Sequence, residues 1–142
     1  MYQKILVALE NSQADQTLLP HITELAQRLG SRLLLLHVAD GWAARNFHQL
    51  KLAESDEMKA DRLYLDAIAA ELRLEGLGVD THLALGDPPE QILKTASDEK
   101  CDLIAMTAHG HKFIGDIVFG STISKVRHES KLPVLLVRAE AG

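Results

Sequence analysis

The residues of this chain best suited to chemistry lie in one segment, Met106-Thr107-Ala108-His109-Gly110-His111-Lys112-Phe113-Ile114-Gly115-Asp116-Ile117-Val118-Phe119-Gly120-Ser121-Thr122. It leaves the end of an apolar run, passes through three glycines and enters a helical pattern at Gly120, with Ser121 placed to cap it. Glycines let backbone N–H groups approach an anion, and a helix N-terminus adds donors and partial positive charge. Phosphate is the guest such a segment suits. Gly-Ser ahead of a helix is equally an ordinary turn and cap, and spacing alone leaves both readings open. Neither G-x-G-x-x-G nor G-x-x-x-x-G-K-[ST] is present, so the dinucleotide fingerprint and the Walker loop have no support.

Other reactive side chains carry weaker patterns. His109 and His111 flank a glycine, but ligating histidines need convergent rings and further donors, and no H-x3-H or cysteine partner stands at matching spacing. No dedicated metal site is expected. His37 ends an apolar run and reads as a hydrogen-bonded core residue rather than a catalyst. Cys101 reads as a structural or incidental thiol. Ser12 and Ser121 lack a G-x-S-x-G context for nucleophilic hydrolysis, and Glu54-Ser55-Asp56-Glu57 reads as a solvated helix start.

The elements that position these residues follow from hydrophobic periodicity. Lys4 to Leu9 is an apolar run of strand length, and from Asp15 the period changes. Leu18, Ile22, Leu25, Ala26 and Leu29 mark a helix that ends at Gly30, with Pro20 costing a hydrogen bond or kinking its first turns. Arg32 to Val38 is a second buried strand. Ala39 to Gln49 has no period and reads as a loop holding Trp42 and Phe47, either a lid or partner surface or a segment tucked on the core. Met58, Leu65, Ile68 and Leu72 mark a long helix that stops at Gly76 and Gly78. Val79 to Leu85 alternates as an edge strand, and Gly86-Asp87-Pro88-Pro89 opens a helix with Ile92, Leu93 and Ala96 inward. A fourth strand spans Asp102 to Met106, a short helix Gly120 to Glu129, and a fifth strand Leu132 to Val137. Strands alternating with helices predict an α/β, doubly wound parallel sheet covered on both faces. Ligands of such sheets sit beyond the carboxyl ends of the strands. That directs attention to Glu10–Ser12, His37–Asp40, Gly86-Asp87 and Thr107–Ser121.

Composition narrows the function classes. A chain of 142 residues, 46% hydrophobic and 25% charged, is expected to form one globular domain over 1–142. No apolar run reaches the ~18 residues of a membrane helix, and the amino-terminal run is too short and too early for a secretory signal. With its single cysteine, the chain is expected to be cytoplasmic and not membrane-bound. A net charge of −5 and 4% aromatic residues argue against a nucleic-acid partner. Residues 44–80 hold 8 acids and 5 bases, whereas 102–142 hold 4 acids and 5 bases, so a small anionic ligand remains compatible with the second stretch.

Taken in order, several landmarks resemble the universal stress protein family: Tyr-Gln-Lys-Ile-Leu-Val-Ala-Leu-Glu-Asn-Ser at the start, Leu-Leu-His-Val ending at Val38, the Gly86-Asp87-Pro88 break, Asp102-Leu-Ile-Ala-Met106, and Lys131-Leu-Pro-Val-Leu-Leu-Val137. Nucleotide-binding members of that family carry G-x2-G-x9-G-[ST] after the fourth strand. Gly110, Gly120 and Ser121 match its last three elements, and Thr107 stands at the first glycine. The resemblance implies a five-stranded sheet of order 3-2-1-4-5 with ATP, or AMP or ADP, at its switch point and any Mg²⁺ carried on the phosphates. It further implies Ala8, Leu9, Glu10, His37, Val38, Met106, Thr107, His109, Gly110, Gly120, Ser121 and Thr122 as nucleotide-binding positions, with the Val38 backbone at adenine and the glycine segment at the phosphates. Glu10 stands where the family usually has aspartate, one methylene shorter. The last strand, Pro133, Val134, Leu135, Leu136 and Val137, is implied to pair across a homodimer. The leading function is an adenine-nucleotide-binding regulatory module of the stress response. A slow ATPase or phosphotransferase using Asp116 or His109, and a dimeric interaction protein without nucleotide, are the alternatives.

Overall fold

Runs of strand length and the helical periods between them set the element order. The computed structural model describes residues 1–39, 56–109 and 116–139. Within them run β1 (Lys4–Ala8), α1 (Asp15–Leu29), β2 (Arg32–Ala39), α2 (Asp56–Leu74), β3 (Val79–Leu85), α3 (Pro88–Asp98), β4 (Leu103–Ala108), α4 (Asp116–Glu129) and β5 (Val134–Arg138). Trp42 and Phe47, expected in a loop, lie outside the described residues. The strands form one parallel sheet of order β3-β2-β1-β4-β5, as expected. Among the described residues, no helix is long and apolar enough to cross a membrane.

Alternate strand residues face opposite sides, and each side is covered by two helices. Ile5, Val7, Leu33, Leu35, Leu103 and Ala105 pack against Leu18, Ile22 and Ala26 of α1 and Leu65, Ala69 and Leu72 of α2. Leu6, Leu34, Leu36, Ile104 and Met106 pack against Ile92 and Ala96 of α3 and Val126 of α4. Burial on both faces is why the central strands read as unbroken apolar runs.

Local signals account for most boundaries. Gly30 closes α1 in the left-handed conformation, φ 69°, and its N–H reaches the Ala26 carbonyl. Pro20 lies inside α1 on its exposed side, where the Gln16 carbonyl deprived of a partner can meet water. Asp87 caps α3, accepting the Glu90 N–H, with prolines at the first two helical positions. β4 and β5 extend beyond their expected ends, because Thr107 and Ala108 stay in register with Val137 and Arg138. The ladder is made by backbone groups, which side-chain polarity does not interrupt.

One boundary differs by more than a turn's fraying. α4 begins at Asp116 rather than at the expected Gly120. An acid suits the positive end of a helix, and an interior glycine costs only about 1 kcal/mol against alanine, so the helix starts a turn earlier. Ser121 therefore lies within the helix instead of capping it.

Candidate functional site

β1 sits between β2 and β4, so chain order reverses direction beside it and opens a crevice at its carboxyl end. A cleft of about 530 Å³ occupies that position. Its lining includes Ala8, Leu9, Glu10, His37, Val38, Met106, Thr107 and Thr122 of the positions expected to bind a nucleotide. One side, over α3 and α4, is apolar: Leu36, Val38, Ile92, Met106 and Ile123. The other, over α2 and the turn after β1, is polar: Glu10, Asn11, His37, Glu57 and Asp61.

Backbone direction gives the cleft further donors and acceptors. Leu36 turns its carbonyl toward β1, where it accepts the Leu9 N–H at 2.8 Å, while Ala39 turns its carbonyl toward Gly86 after β3. Alternation then points the Val38 N–H and carbonyl toward the β1 side. The β1–β2 register ends at Ala8 and Leu36, so these groups face the crevice above β1.

The turn after β1 is held by four elements. The Asp15 carboxylate of α1, fully buried, accepts the Glu10 and Asn11 N–H groups at 2.9 Å each and the Tyr64 hydroxyl at 2.6 Å. Asn11 is left-handed there, φ 58°, a conformation asparagine tolerates. Its side-chain amide donates to Asp61 of α2 at 2.6 Å. His37 of β2 places Nδ1 2.8 Å from the Leu9 carbonyl and Nε2 3.4 Å from Asp61. His109, just past β4, places Nε2 2.6 and 2.7 Å from the two Glu10 carboxylate oxygens.

Burial shifts the ionisation of Glu10 and Tyr64. It lifts the Glu10 carboxyl above its ordinary range, opposed by the hydrogen bond and charge of His109, with Asp15 adding to the rise. Burial also raises the Tyr64 phenol, and its bond to Asp15 reinforces the shift because a phenolate would be repelled there. A carboxyl raised on folding contributes stability that is full below its unfolded value and is lost as pH rises through the folded one. Glu10→Gln keeps an oxygen for the His109 N–H. It is expected to gain stability relative to the parent as pH rises above the ordinary carboxyl value and through the raised one; urea midpoints that stay equally spaced across that rise would overturn this.

Thr107 is 4% exposed, and its hydroxyl has no hydrogen-bond partner among the described residues. An unmet buried hydroxyl costs about 1–3 kcal/mol. Thr107→Val is therefore expected to raise unfolding free energy by about 1 kcal/mol, read from the denaturation midpoint; a loss of stability would mean the hydroxyl is satisfied.

The remaining expected positions are placed as follows. His109 reaches the site through Glu10, with its side chain 3% exposed. Gly120 and Ser121 are in α4, Ser121 exposed. Gly110, His111 and Lys112 lie outside the described residues. Cys101 lies at the opposite end of β4, buried, with its thiol pushed up to about 11 by burial. Among the described residues, no group of three or more histidine, cysteine or acidic side chains is arranged to hold a metal ion. Val134 to Val137 belong to β5, an edge strand, and the Pro133 carbonyl accepts the Ile104 N–H.

Sequence reasoning missed Asp15, Asp61 and Tyr64, and reached Asn11 only as part of Glu10–Ser12. A signal for two of them existed. Asp15 precedes Leu18, Ile22 and Ala26 at core spacing, and Asp61 interrupts Met58, Leu65, Ala69 and Leu72 in the same way. An acid on a buried helical stripe requires partners.

A model of the universal stress protein family matches residues 1–138. Universal stress protein MJ0577 of Methanocaldococcus jannaschii is 30% identical over 158 aligned positions, covering 97% of this chain and 96% of the relative. Its solved structure superposes with a TM-score of 0.79 at 28% identity, covering 100% and 99% of the two chains. Two further structures share the fold. One is the universal stress protein from Archaeoglobus fulgidus in complex with dAMP, with TM-score 0.69, 22% identity and coverage of 96% and 98%. The other is a universal stress protein in complex with cAMP, with TM-score 0.70, 18% identity and 98% coverage of each chain.

Proposed function

This chain belongs to the universal stress protein family, and we propose that it is an adenine-nucleotide-binding regulatory module of the stress response, its ligand held at the carboxyl ends of β1 and β4. The observation that carries this reading is the cleft at the reversal of strand order, divided into an apolar and a polar side. A purine base fits against Val38, Ile92 and Met106, its edge meeting the backbone groups of Val38, while the sugar meets the polar side. The complexes of two relatives with dAMP and cAMP support an adenine ligand. The phosphates would lie toward the glycine segment and α4, and ATP, ADP or AMP there would carry any Mg²⁺ itself. Glu10 has its carboxylate turned to His109, so a sugar hydroxyl reaching Glu10 would share it with that imidazole. A binding role is favoured over a catalytic one because the Nε2 of His109, the candidate base, is already held by Glu10.

The same reading includes a cytoplasmic homodimer joined through β5. The strand's outer edge carries backbone groups open to pairing, and Val134, Leu135, Leu136 and Val137 are half-buried in the single chain. A monomer in sedimentation at micromolar concentration would remove the dimer from the proposal.

The decisive experiment is to denature the purified protein, identify any released nucleotide by chromatography, and titrate the refolded or nucleotide-free protein with Mg-ATP and with AMP calorimetrically. Release of an adenine nucleotide, or binding heat at millimolar ligand, is expected. The absence of both release and heat would overturn the proposal.

A further inference from the structure

His37 lines the cleft, yet both of its ring nitrogens are directed at groups of the protein. A backbone carbonyl can only accept, so Nδ1 carries a proton toward Leu9 at 2.8 Å. On the other side of the ring stands Asp61 at 3.4 Å from Nε2, its other oxygen already receiving the Asn11 amide at 2.6 Å. A lone pair on Nε2 would face a carboxylate across that gap, an arrangement in which like partial charges meet with little water between them. The side chains of His37 and Asp61 are 13% and 7% exposed. A proton on Nε2 converts this contact into an ion pair.

The surrounding charges point the same way. α2 contributes Asp61 and Glu57, the turn after β1 contributes Glu10, and Asp15 with Tyr64 lies behind that turn. His109 approaches from β4 and is matched to Glu10. β3 presents Leu83 in register beside His37, an apolar neighbour. Among the described residues that line the cleft there is no lysine or arginine to offset the carboxylates.

We propose that His37 is a positioning residue of the cleft: its imidazolium, held between the Leu9 carbonyl and the Asp61 carboxylate, clamps α2 and β2 onto the turn that follows β1. The clamp sets the polar side of the cleft, because Asp61 is both a lining residue and the partner of Asn11. Loss of the Nε2 proton keeps the bond to Leu9 and releases α2. Its effect on the ligand rests on the nucleotide reading above: the cleft holds a nucleoside more tightly when His37 is charged.

Two measurements on the full chain test this. Nitrogen-15 NMR of the histidine rings from pH 5 to 9 reads the protonation of His37 without a ligand. The expected result is a ring that keeps its proton on Nδ1, toward Leu9, at every pH, and that carries its second proton on Nε2, toward Asp61. A neutral ring throughout, or a neutral form protonated on Nε2, overturns the clamp. Calorimetry with adenosine, whose own charge is constant from pH 5.5 to 8.5, reads the consequence. Affinity should fall roughly fivefold or more across that interval. In His37→Asn, whose amide can still donate to Leu9 but does not titrate, the fall should be smaller than in the parent, what remains being due to Glu10, which also lines the cleft; an undiminished fall would assign the pH response to Glu10 and overturn the positioning role. Wild-type affinity that does not change with pH overturns the positioning role. If adenosine binds at neither pH, the nucleotide reading fails, and the NMR result alone decides the clamp.

Discussion

Asp15→Ala is expected to lower unfolding free energy by about 3–5 kcal/mol. The side chain is fully buried and accepts two backbone N–H groups and a phenol. Removing it leaves three part-buried donors without their acceptor, and each unmet donor costs about 1–3 kcal/mol, less than additively. The left-handed Asn11 makes matters worse, since the turn that needs that conformation loses the acceptor that stabilises it. Tyr64→Phe removes one of the three bonds and is expected to cost about 1 kcal/mol. Urea denaturation of both variants gives the comparison. A loss below about 1 kcal/mol for Asp15→Ala would mean that the turn finds other acceptors. Because the same turn carries Leu9, Glu10 and Asn11 into the cleft, any ligand affinity should fall with it.

Ala8→Phe is expected to abolish binding in the cleft while the fold persists. Ala8 is the last residue of β1, the central strand, in register with Leu36 and on the same face as Leu36, Val38 and Met106. Its small side chain lines the cleft. Because Ala8 is only half-buried and lines the cleft, a phenyl ring there extends into the cleft. It then occupies the place of a purine. Affinity for an adenine nucleotide should fall by at least about 100-fold, near 2.7 kcal/mol, with the helical circular dichroism signal retained. Unchanged affinity in a folded variant would place the ligand elsewhere on the molecule.

These two residues show different degrees of legibility. The resemblance identifies Ala8, because it lies within Lys-Ile-Leu-Val-Ala-Leu, part of the opening family landmark. In the sequence Asp15 marks only the point where the helical period begins. An acid at the start of a helix is what the dipole favours, and that local explanation concealed its burial. Asp61 likewise stands on the stripe of Met58, Leu65 and Leu72, and the apolar period that marks the helix leaves the acid on it unremarked. In both cases spacing contained the information, while the partner that makes the burial tolerable lay far off in the chain. Tyr64 is 49 residues from Asp15, and Asn11 is 50 from Asp61. The start of α4 failed for the opposite reason: Gly-Ser is a strong local cue for a cap, and a helix propagating from Asp116 overrode it.

By itself, the sequence determined what depends on near neighbours: the five strands and four helices the described residues contain, the glycine and proline boundaries at Gly30 and Asp87–Pro89, and, through ordered landmarks, the family and its strand order. Periods of two and 3.6 residues and the backbone demands of caps are local, so a linear reading captures them. Only the tertiary structure decided which polar groups face one another. It paired Glu10 with His109 across 99 residues and set His37 between Leu9 and Asp61. Such pairings arise because a buried charge must find a partner wherever the packed sheet brings one within reach, and no spacing in the chain encodes that distance.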